Sequence, residues 1–231
     1  MSVEVEEEKK AAALAAVRHV RDGMILGVGS GSTVAFFIEV LASAVKKEKL
    51  EILCVPTSYQ SAILLAEHGI PLTSLIEHPT LDLTVDGADE IDPNLNLIKG
   101  RGGALTLEKI VASSSEEMIV IADSSKLVEK LGVKTPVPVE VIPVAWKTVA
   151  AKLAKLGARV ELRHGSGKVG PTVTDNGNFI LDAKFPRIDD PGELEEKINN
   201  IPGVVENGLF VEIAKLAYLG RDKTLKRNGK T

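Results

Sequence analysis

The 231-residue sequence has one cysteine, Cys54, and only 3% aromatic residues. A single cysteine excludes an internal disulfide framework. Cys54 lies in the apolar segment LEILCVP, so we expect a buried strand thiol rather than a nucleophile. The calcium-type spacing Asp-x-Asp-x-Asp-Gly is absent, and the histidines are scattered. The sequence therefore predicts no metal site.

Long apolar runs are also absent. No segment approaches the ~20 apolar residues that a membrane-spanning helix needs, and the N-terminal segment MSVEVEEEKK is acidic, unlike a secretory leader. The formal net charge of −4 argues against nucleic-acid binding, because proteins that bind nucleic acids are usually basic. The basic segment KTLKRNGK is short, and we expect a solvated tail there. These features predict a cytoplasmic protein with no nucleic-acid or membrane partner.

Strand and helix patterns alternate as far as Gly132. After a helical segment from Val5 to Val20, the strand segments GMILGVG, LEILCVP, LDLTVDG and EEMIVIA are apolar on both faces, which is typical of a parallel sheet covered by helices. The helix STVAFFIEVLASAVKKE has Ser32 or Thr33 near its N-cap, and LTLEKIVASSS is a further helix. The predicted fold class is α/β, with a Rossmann-like and mostly parallel sheet.

The pattern changes after Gly132. TPVPVEVIP holds three prolines, which favours an edge strand or a crossing between domains. ARVELRHG and TVTDNGNFILDAKF are typical of antiparallel strands, with a hairpin turn at Asp175–Asn178. We expect a Rossmann-like catalytic domain over residues 1–131, completed by about 207–231, and a smaller α+β domain over residues 132–206.

A glycine-rich loop, GVGSGSTV, follows the first strand and opens a helix, where free backbone N–H groups and the helix dipole favour an anion. It is not a dinucleotide fingerprint, because Ser32 or Val34 stands where the third glycine would fall, and no acidic residue ends the second strand. It also lacks the Gly-Lys-Ser/Thr of a P-loop. A phosphate, a sugar hydroxyl or a plain strand-to-helix turn all fit this loop, and no cofactor is expected.

A second loop, VDGADEID, begins where a strand ends, at the sheet edge where open α/β proteins bind ligands. Asp86 and Asp89 flank Gly87 and Ala88, which are small enough to let a ligand approach the backbone. The loop therefore offers two carboxylates to a polar ligand.

The segment IKGRGGAL then places Lys99 and another glycine loop before a helix that carries Glu108 in its first turns. A carboxylate at that position often only stabilises the helix dipole. Lys126 follows the strand MIVIA at the same sheet edge, where a solvated lysine is the alternative. Together with the two preceding loops, these residues favour a binding or catalytic site.

The segments GVGSGSTV, VDGADEID, IKGRGGALTLEKI, ADSSKLVEKLG, PVPVEVIP and TDNGNFILD together resemble the ribose-5-phosphate isomerase A family. The similarity runs in order from about Lys9 to Gly208. It implies a cofactor-free aldose–ketose isomerase that interconverts ribose 5-phosphate and ribulose 5-phosphate through an enediolate, in the non-oxidative branch of the pentose phosphate pathway. It also implies a homodimer or homotetramer.

The resemblance assigns roles to individual residues. The glutamate of the family's LTxEK motif, the catalytic base, falls on Glu108, and the lysine of its A-x-x-S-K motif falls on Lys126, which would hold the phosphate. Lys99 and the backbone N–H groups after Gly100 would stabilise the enediolate, and Asp86 would assist ring opening.

The catalytic candidates are thus Glu108, Asp86 and Lys99. The substrate-binding candidates are Ser30, Gly31, Ser32, Thr33, Asp86, Gly87, Ala88, Asp89, Lys99, Gly100, Arg101, Gly102 and Lys126. Many family members have glycine in place of Arg101, so this side chain either reaches the phosphate or points to solvent.

Two alternatives share this scaffold. A sugar-phosphate effector domain of a transcription regulator would not need Glu108 but would need a DNA-binding domain, and we see none before Val5. A CoA transferase would use a glutamate to attack a thioester, and a covalent glutamyl thioester would distinguish it.

Overall fold

The computed structural model describes residues 3–165, 167, 169–220 and 223–227. The helices are α1 Val3–Val17, α2 Ser32–Glu48, α3 Tyr59–Glu67, α4 Leu105–Ser113, α5 Trp146–Lys155 and α6 Pro191–Asn199. The strands are β1 Ile25–Val28, β2 Leu53–Pro56, β3 Leu81–Asp86, β4 Glu90–Ile91, β5 Leu97–Ile98, β6 Ser115–Ala122, β7 Val137–Val141, β8 Arg159–Leu162, β9 Phe179–Lys184, β10 Val204–Asn207, β11 Leu209–Phe210, β12 Leu216–Leu219 and β13 Lys223–Lys226.

Six strands form the largest sheet, in the order β13-β12-β6-β3-β1-β2. The neighbours from β2 to β12 are parallel, and β13 is added antiparallel to β12. The predicted α/β class with a mostly parallel sheet is confirmed. The expected solvated tail is wrong for residues 223–226, because they pair with β12 as an edge strand; residues 228–231 lie outside the described part of the chain.

Both faces of this sheet are covered, as the apolar strand segments predict. Ala12 and Ala16 of α1 pack with Phe37 and Leu41 of α2 against alternate strand residues, while Val111 of α4 packs with buried residues of β2 and β3. Small alanines on α1 let that helix lie close to the strands. Cys54 is fully buried in β2, which confirms the expected strand thiol, and burial raises its pKa to about 12.

Two antiparallel sheets contain the remaining strands. One has the order β10-β7-β9-β8 and the other the order β11-β5-β4. Their buried residues form a second core with α5 and α6. The smaller α+β component predicted from the sequence is confirmed.

The proline-rich strand β7 is not an edge strand. It lies between β10 and β9, and all its residues are buried. Pro138 is tolerated because the pairing with β10 reaches only Val139, while the Pro138 carbonyl accepts a hydrogen bond from the Gly208 N–H at 2.8 Å. The expectation of an edge strand there is wrong, and that of a crossing between domains stays a prediction.

The segment TDNGN forms the predicted turn and surrounds a buried carboxylate. Gly177 has a φ of +81°, which a turn of this kind requires. The fully buried Glu140 on β7 accepts hydrogen bonds from Thr174, Asn176 and Asn178, and also from Thr106 in the first turn of α4. Four donors satisfy a charge that would otherwise be very unfavourable in the core.

Packing divides the chain into two compact units. Unit 1 consists of Met1–Ala88, Leu107–Lys126 and Glu212–Thr231, and unit 2 consists of Asp89–Thr106 and Leu127–Val211. The first contains the six-stranded sheet and the second contains both antiparallel sheets. The domain division at residues 1–131 and 132–206 stays a prediction.

Candidate active site

The carboxyl ends of β1 and β3 lie side by side in unit 1. Val28 pairs with Val85, so Gly29 and Asp86 are neighbours at the edge of the sheet. From β1 the chain moves to β2 on one side and then to β3 on the other, which makes this point a topological switch. Open α/β sheets bind ligands at such points.

Gly29 and Asp86 are in close contact. A Cβ atom on Gly29 would lie 1.9 Å from Oδ1 of Asp86, far inside van der Waals contact. Asp86 is fully buried, and its Oδ1 accepts hydrogen bonds from the backbone N–H groups of Ser30 at 3.2 Å and Gly87 at 2.6 Å. The carboxylate therefore fixes the loop that follows β1.

Hydroxyl groups connect the same loop to the start of α3. Oγ of Ser30 lies 2.9 Å from Oγ1 of Thr57 and 2.6 Å from Oγ of Ser58, and the Gly31 N–H donates to Gln60 at 3.0 Å. Gly31, with a φ of +105°, is the N-cap of α2 and has no side chain to cap the helix. The first N–H groups of α2, which have no partner within the helix, thus lie next to small polar side chains.

Lys9 is a cation at this loop that sequence reasoning missed. Its side chain is 6% exposed, and Nζ donates to Oγ of Ser32 at 2.8 Å. A signal was present in the sequence, because Lys9 occupies the same helical face as Ala12, Ala13 and Ala16, which are all buried. A lysine on the buried face of a helix needs a polar partner.

Lys126 ends a short 3-10 turn, Ser124–Lys126, directly after β6. This turn is held to α1, since the Glu8 carboxylate accepts the Ser124 N–H at 2.7 Å and its hydroxyl at 2.9 Å. Lys126 is half-buried and lies at the carboxyl edge of the sheet, where the sequence placed it.

Glu108 lies in the first turn of α4 and is 5% exposed. The positive end of the helix dipole favours a carboxylate at this position. Unit 1 therefore contains Ser30–Thr33, Asp86, Gly87, Ala88, Glu108 and Lys126 among the predicted residues, together with Lys9.

Unit 2 contains the remaining candidates. Lys99 is 3% exposed, its backbone N–H donates to the Gly208 carbonyl at 2.9 Å, and its Nζ lies 5.4 Å from the centroid of the Phe210 ring. A Cβ atom on Gly208 would lie 2.2 Å from the Lys99 carbonyl oxygen, so only glycine fits there. These contacts fix Lys99 at the end of β5.

Asp89 and the glycine loop after Lys99 are joined through the backbone. The Asp89 N–H donates to the Ile98 carbonyl at 2.8 Å, and the Asp89 carboxylate accepts the Arg101 N–H at 2.9 Å. The side chain of Arg101 is exposed. The contact with Asp89 is made by the backbone N–H of Arg101, and the role of the guanidinium stays a prediction.

Among residues 3–165, 167, 169–220 and 223–227, no group of three or more histidine, cysteine, aspartate or glutamate side chains is arranged to hold a metal ion. Within the same described residues, no helix is long and apolar enough to cross a membrane.

Comparison with known proteins gives consistent matches. The profile of the family described as ribose 5-phosphate isomerase A (phosphoriboisomerase A) matches residues 53–224. The chain is 58% identical to ribose-5-phosphate isomerase A of Methanothermobacter thermautotrophicus over 218 residues, which are 94% of this chain and 96% of that protein. It is 52% identical to the Pyrococcus horikoshii protein of the same name over 224 residues, which are 96% and 98% of the two chains.

A solved structure is also very similar. A D-ribose-5-phosphate isomerase in complex with phospho-erythronic acid superposes with a TM-score of 0.95 at 52% identity, covering 98% of this chain and all of the other.

Proposed function

Because the chain belongs to the ribose 5-phosphate isomerase A family, we propose a role for each candidate residue in the reaction of that family. The protein is an isomerase that interconverts ribose 5-phosphate and ribulose 5-phosphate. The effector-domain and CoA-transferase alternatives gain no support from these matches. The reaction moves a proton between C1 and C2 of the open-chain sugar, and we propose an enediolate as its intermediate.

Glu108 is the base that moves the proton in this proposal. The observation that carries the assignment is a carboxylate only 5% exposed in the first turn of α4. Low exposure keeps water away from the proton while it is carried between the two carbons, and a positioned carboxylate contributes about 10²- to 10⁴-fold to the rate.

The Ser30–Thr33 loop, the first N–H groups of α2 and Lys126 hold the phosphate. The helix dipole, the N-terminus of α2 without a side-chain cap and the positive charge of Lys126 all favour an anion. We add Lys9 to this group, since its buried ammonium already donates to Ser32.

Lys99 stabilises negative charge on the enediolate oxygens, together with backbone N–H groups of the glycine loop after it. Phospho-erythronic acid, the ligand of the similar structure, has a carboxylate with two oxygens on one planar carbon. The same cation would suit that carboxylate and the planar enediolate, and it is held in place by Gly208 and Phe210.

The two aspartates have different surroundings and so different proposed roles. Asp86 is fully buried and already accepts two backbone N–H groups. We propose that its main role is to hold the Ser30 loop, and that it contacts the sugar only where this loop leaves the carboxylate accessible. Asp89 is half-buried, and we propose that it accepts sugar hydroxyls together with the backbone of Gly87 and Ala88.

We also propose a cytoplasmic homodimer or homotetramer. Large apolar side chains are exposed on α3 and the loop after it: Tyr59 is 69% and Ile63 57% exposed, and Ile76 is 95% exposed. Apolar side chains in contact with water favour association with a second copy. Size-exclusion chromatography coupled to light scattering measures the molar mass in solution, which distinguishes a monomer, a dimer and a tetramer.

The decisive experiment compares Glu108→Gln with the unchanged protein in a ribose 5-phosphate isomerase assay with EDTA present. The variant keeps the shape of the side chain and removes the base, so kcat should fall about 10²- to 10⁴-fold while phospho-erythronic acid still binds. A variant with kcat near that of the unchanged protein would disprove the role of Glu108.

A further inference from the structure

The guanidinium of Arg163 contacts two successive carbonyl groups of the loop that follows Lys99. Arg163 follows β8 directly, and its Nη1 donates to the Gly100 carbonyl at 2.8 Å and to the Arg101 carbonyl at 3.0 Å. Its Nε and Nη2 donate to the two carboxylate oxygens of Asp182 on β9. One planar side chain therefore connects the loop to the antiparallel sheet.

Holding these carbonyls also sets the direction of the opposite N–H groups. A trans peptide is planar, so the carbonyl of Gly100 and the N–H of Arg101 point in opposite directions. The Arg101 N–H meets the Asp89 carboxylate at 2.9 Å. By the same geometry, the Arg101 carbonyl fixes the direction of the Gly102 N–H.

The loop needs support from outside its own sequence. It contains Gly100, Gly102 and Gly103, and the first and last of these have φ values of +102° and +83°. Glycine loses more backbone entropy on folding than other residues, so ordering this segment is costly. A rigid contact to two of its carbonyl groups restricts the backbone of the loop to one conformation.

The chain contains a matched arginine without this contact. Arg159 is the first residue of β8, the strand that Arg163 follows, and it pairs with Glu161, with side chains 83% and 66% exposed. The side chains of Arg163 and Asp182 are only 15% and 23% exposed. An exposed ion pair contributes little to stability, whereas the partly buried, two-pronged pair holds its guanidinium in a fixed plane.

We propose that Arg163, oriented by Asp182, is a positioning residue that holds the Gly100–Gly103 loop so that the Arg101 N–H keeps the Asp89 carboxylate in place for the substrate. The inference rests on the proposed function, in which Asp89 accepts sugar hydroxyls. Arg163 acts only through the loop, and lysine cannot replace it, because a single ammonium lacks the planar fork that reaches a carboxylate and two carbonyls together.

The first test compares Arg163→Met, Arg163→Lys and the control Arg159→Met in the isomerase assay, well below their melting temperatures. A displacement of about 1 Å can lower the rate up to about 100-fold, so we expect kcat/KM of Arg163→Met to fall about 10- to 100-fold. Arg163→Lys keeps the charge opposite Asp182 and should regain thermal stability without regaining kcat/KM. Arg159→Met should match the unchanged protein in both properties.

The second test repeats the Arg163 substitution in an Asp89→Asn background. If Arg163 acts through Asp89, the two losses do not multiply, and Arg163→Met lowers kcat/KM less than about threefold there. Losses that multiply, or an Arg163→Lys variant that regains activity in step with stability, would overturn the positioning role. Full activity of Asp89→Asn itself would instead overturn the proposed role of Asp89. If Arg163→Met does not fold, both tests are done with Arg163→Lys.

Discussion

A single methyl group added at Gly29 should damage the site through one contact. The Cβ of Gly29→Ala would lie 1.9 Å from Oδ1 and 2.6 Å from Cβ of Asp86, whereas non-bonded atoms normally stay well over 3 Å apart. Gly29 does not have a positive φ, so alanine adds no backbone strain there. The whole effect must come from displacement of the carboxylate or of the strand end that carries it.

The size of the effect follows from what holds Asp86. Overpacking a buried position costs about 1–3 kcal/mol. Moving the carboxylate away from the N–H groups of Ser30 or Gly87 removes a hydrogen bond to a charged group, which adds about 1.5–3 kcal/mol. The two contributions add up to about 2.5–6 kcal/mol, so we expect the free energy of unfolding to fall by that amount and the melting temperature by about 5–24 °C for a chain of this size.

Thermal and urea unfolding, followed by circular dichroism, measure this loss. Gly87→Ala is the matched control for stability, because it adds the same methyl group beside Asp86 but its Cβ would meet nothing closer than 3.8 Å. If Gly29→Ala and Gly87→Ala unfold within about 0.5 kcal/mol of each other, contact between Gly29 and Asp86 does not restrict this position, and the reasoning fails.

Two further predictions concern charge. Lys126→Ala should raise KM for ribose 5-phosphate about 10- to 150-fold with kcat mostly unchanged, because the phosphate does not react and its contact is similar in ground and transition states. An equal loss of kcat/KM with unphosphorylated ribose would show that Lys126 does not hold the phosphate. Partial burial, with the charge of Arg21, lowers the pKa of His19, whose Nε2 lies 2.7 Å from the Tyr218 hydroxyl. The unfolded chain therefore takes up this proton at a higher pH than the folded chain, so the unfolding free energy should fall as pH drops below the ordinary value near 6.5. His19→Gln should remove that part of the slope in urea titrations, and an unchanged slope would count against the assignment.

The alternating fold was predictable because it depends on local patterns, and the candidate residues were selected from the same patterns. Apolar strand segments followed by glycine loops and helices specify a parallel sheet, and the position of Asp86 at the end of β3 places it at the carboxyl edge of that sheet. The class of the fold therefore followed from short segments read separately.

The errors and omissions come from contacts between distant segments. The place of β7 inside its sheet depends on which residues of β10 pair with it, and Pro138 alone could not reveal that pairing. Arg163 lies about sixty residues after the loop whose carbonyls it contacts. Lys9 was visible only as a break in a buried alanine face. A sequence without a structure does not show such pairings.

The path of the chain through unit 1 also affects its synthesis on the ribosome. β6 ends at Ala122, and its parallel neighbour β12 begins only at Leu216, after the whole of unit 2 has been made. At about 5–20 residues per second, the nascent chain waits roughly 5–20 s with one side of β6 unpaired. During that interval an apolar sheet edge is available to other nascent chains, so the rate of translation between these two strands should influence how much of the protein is recovered without aggregation.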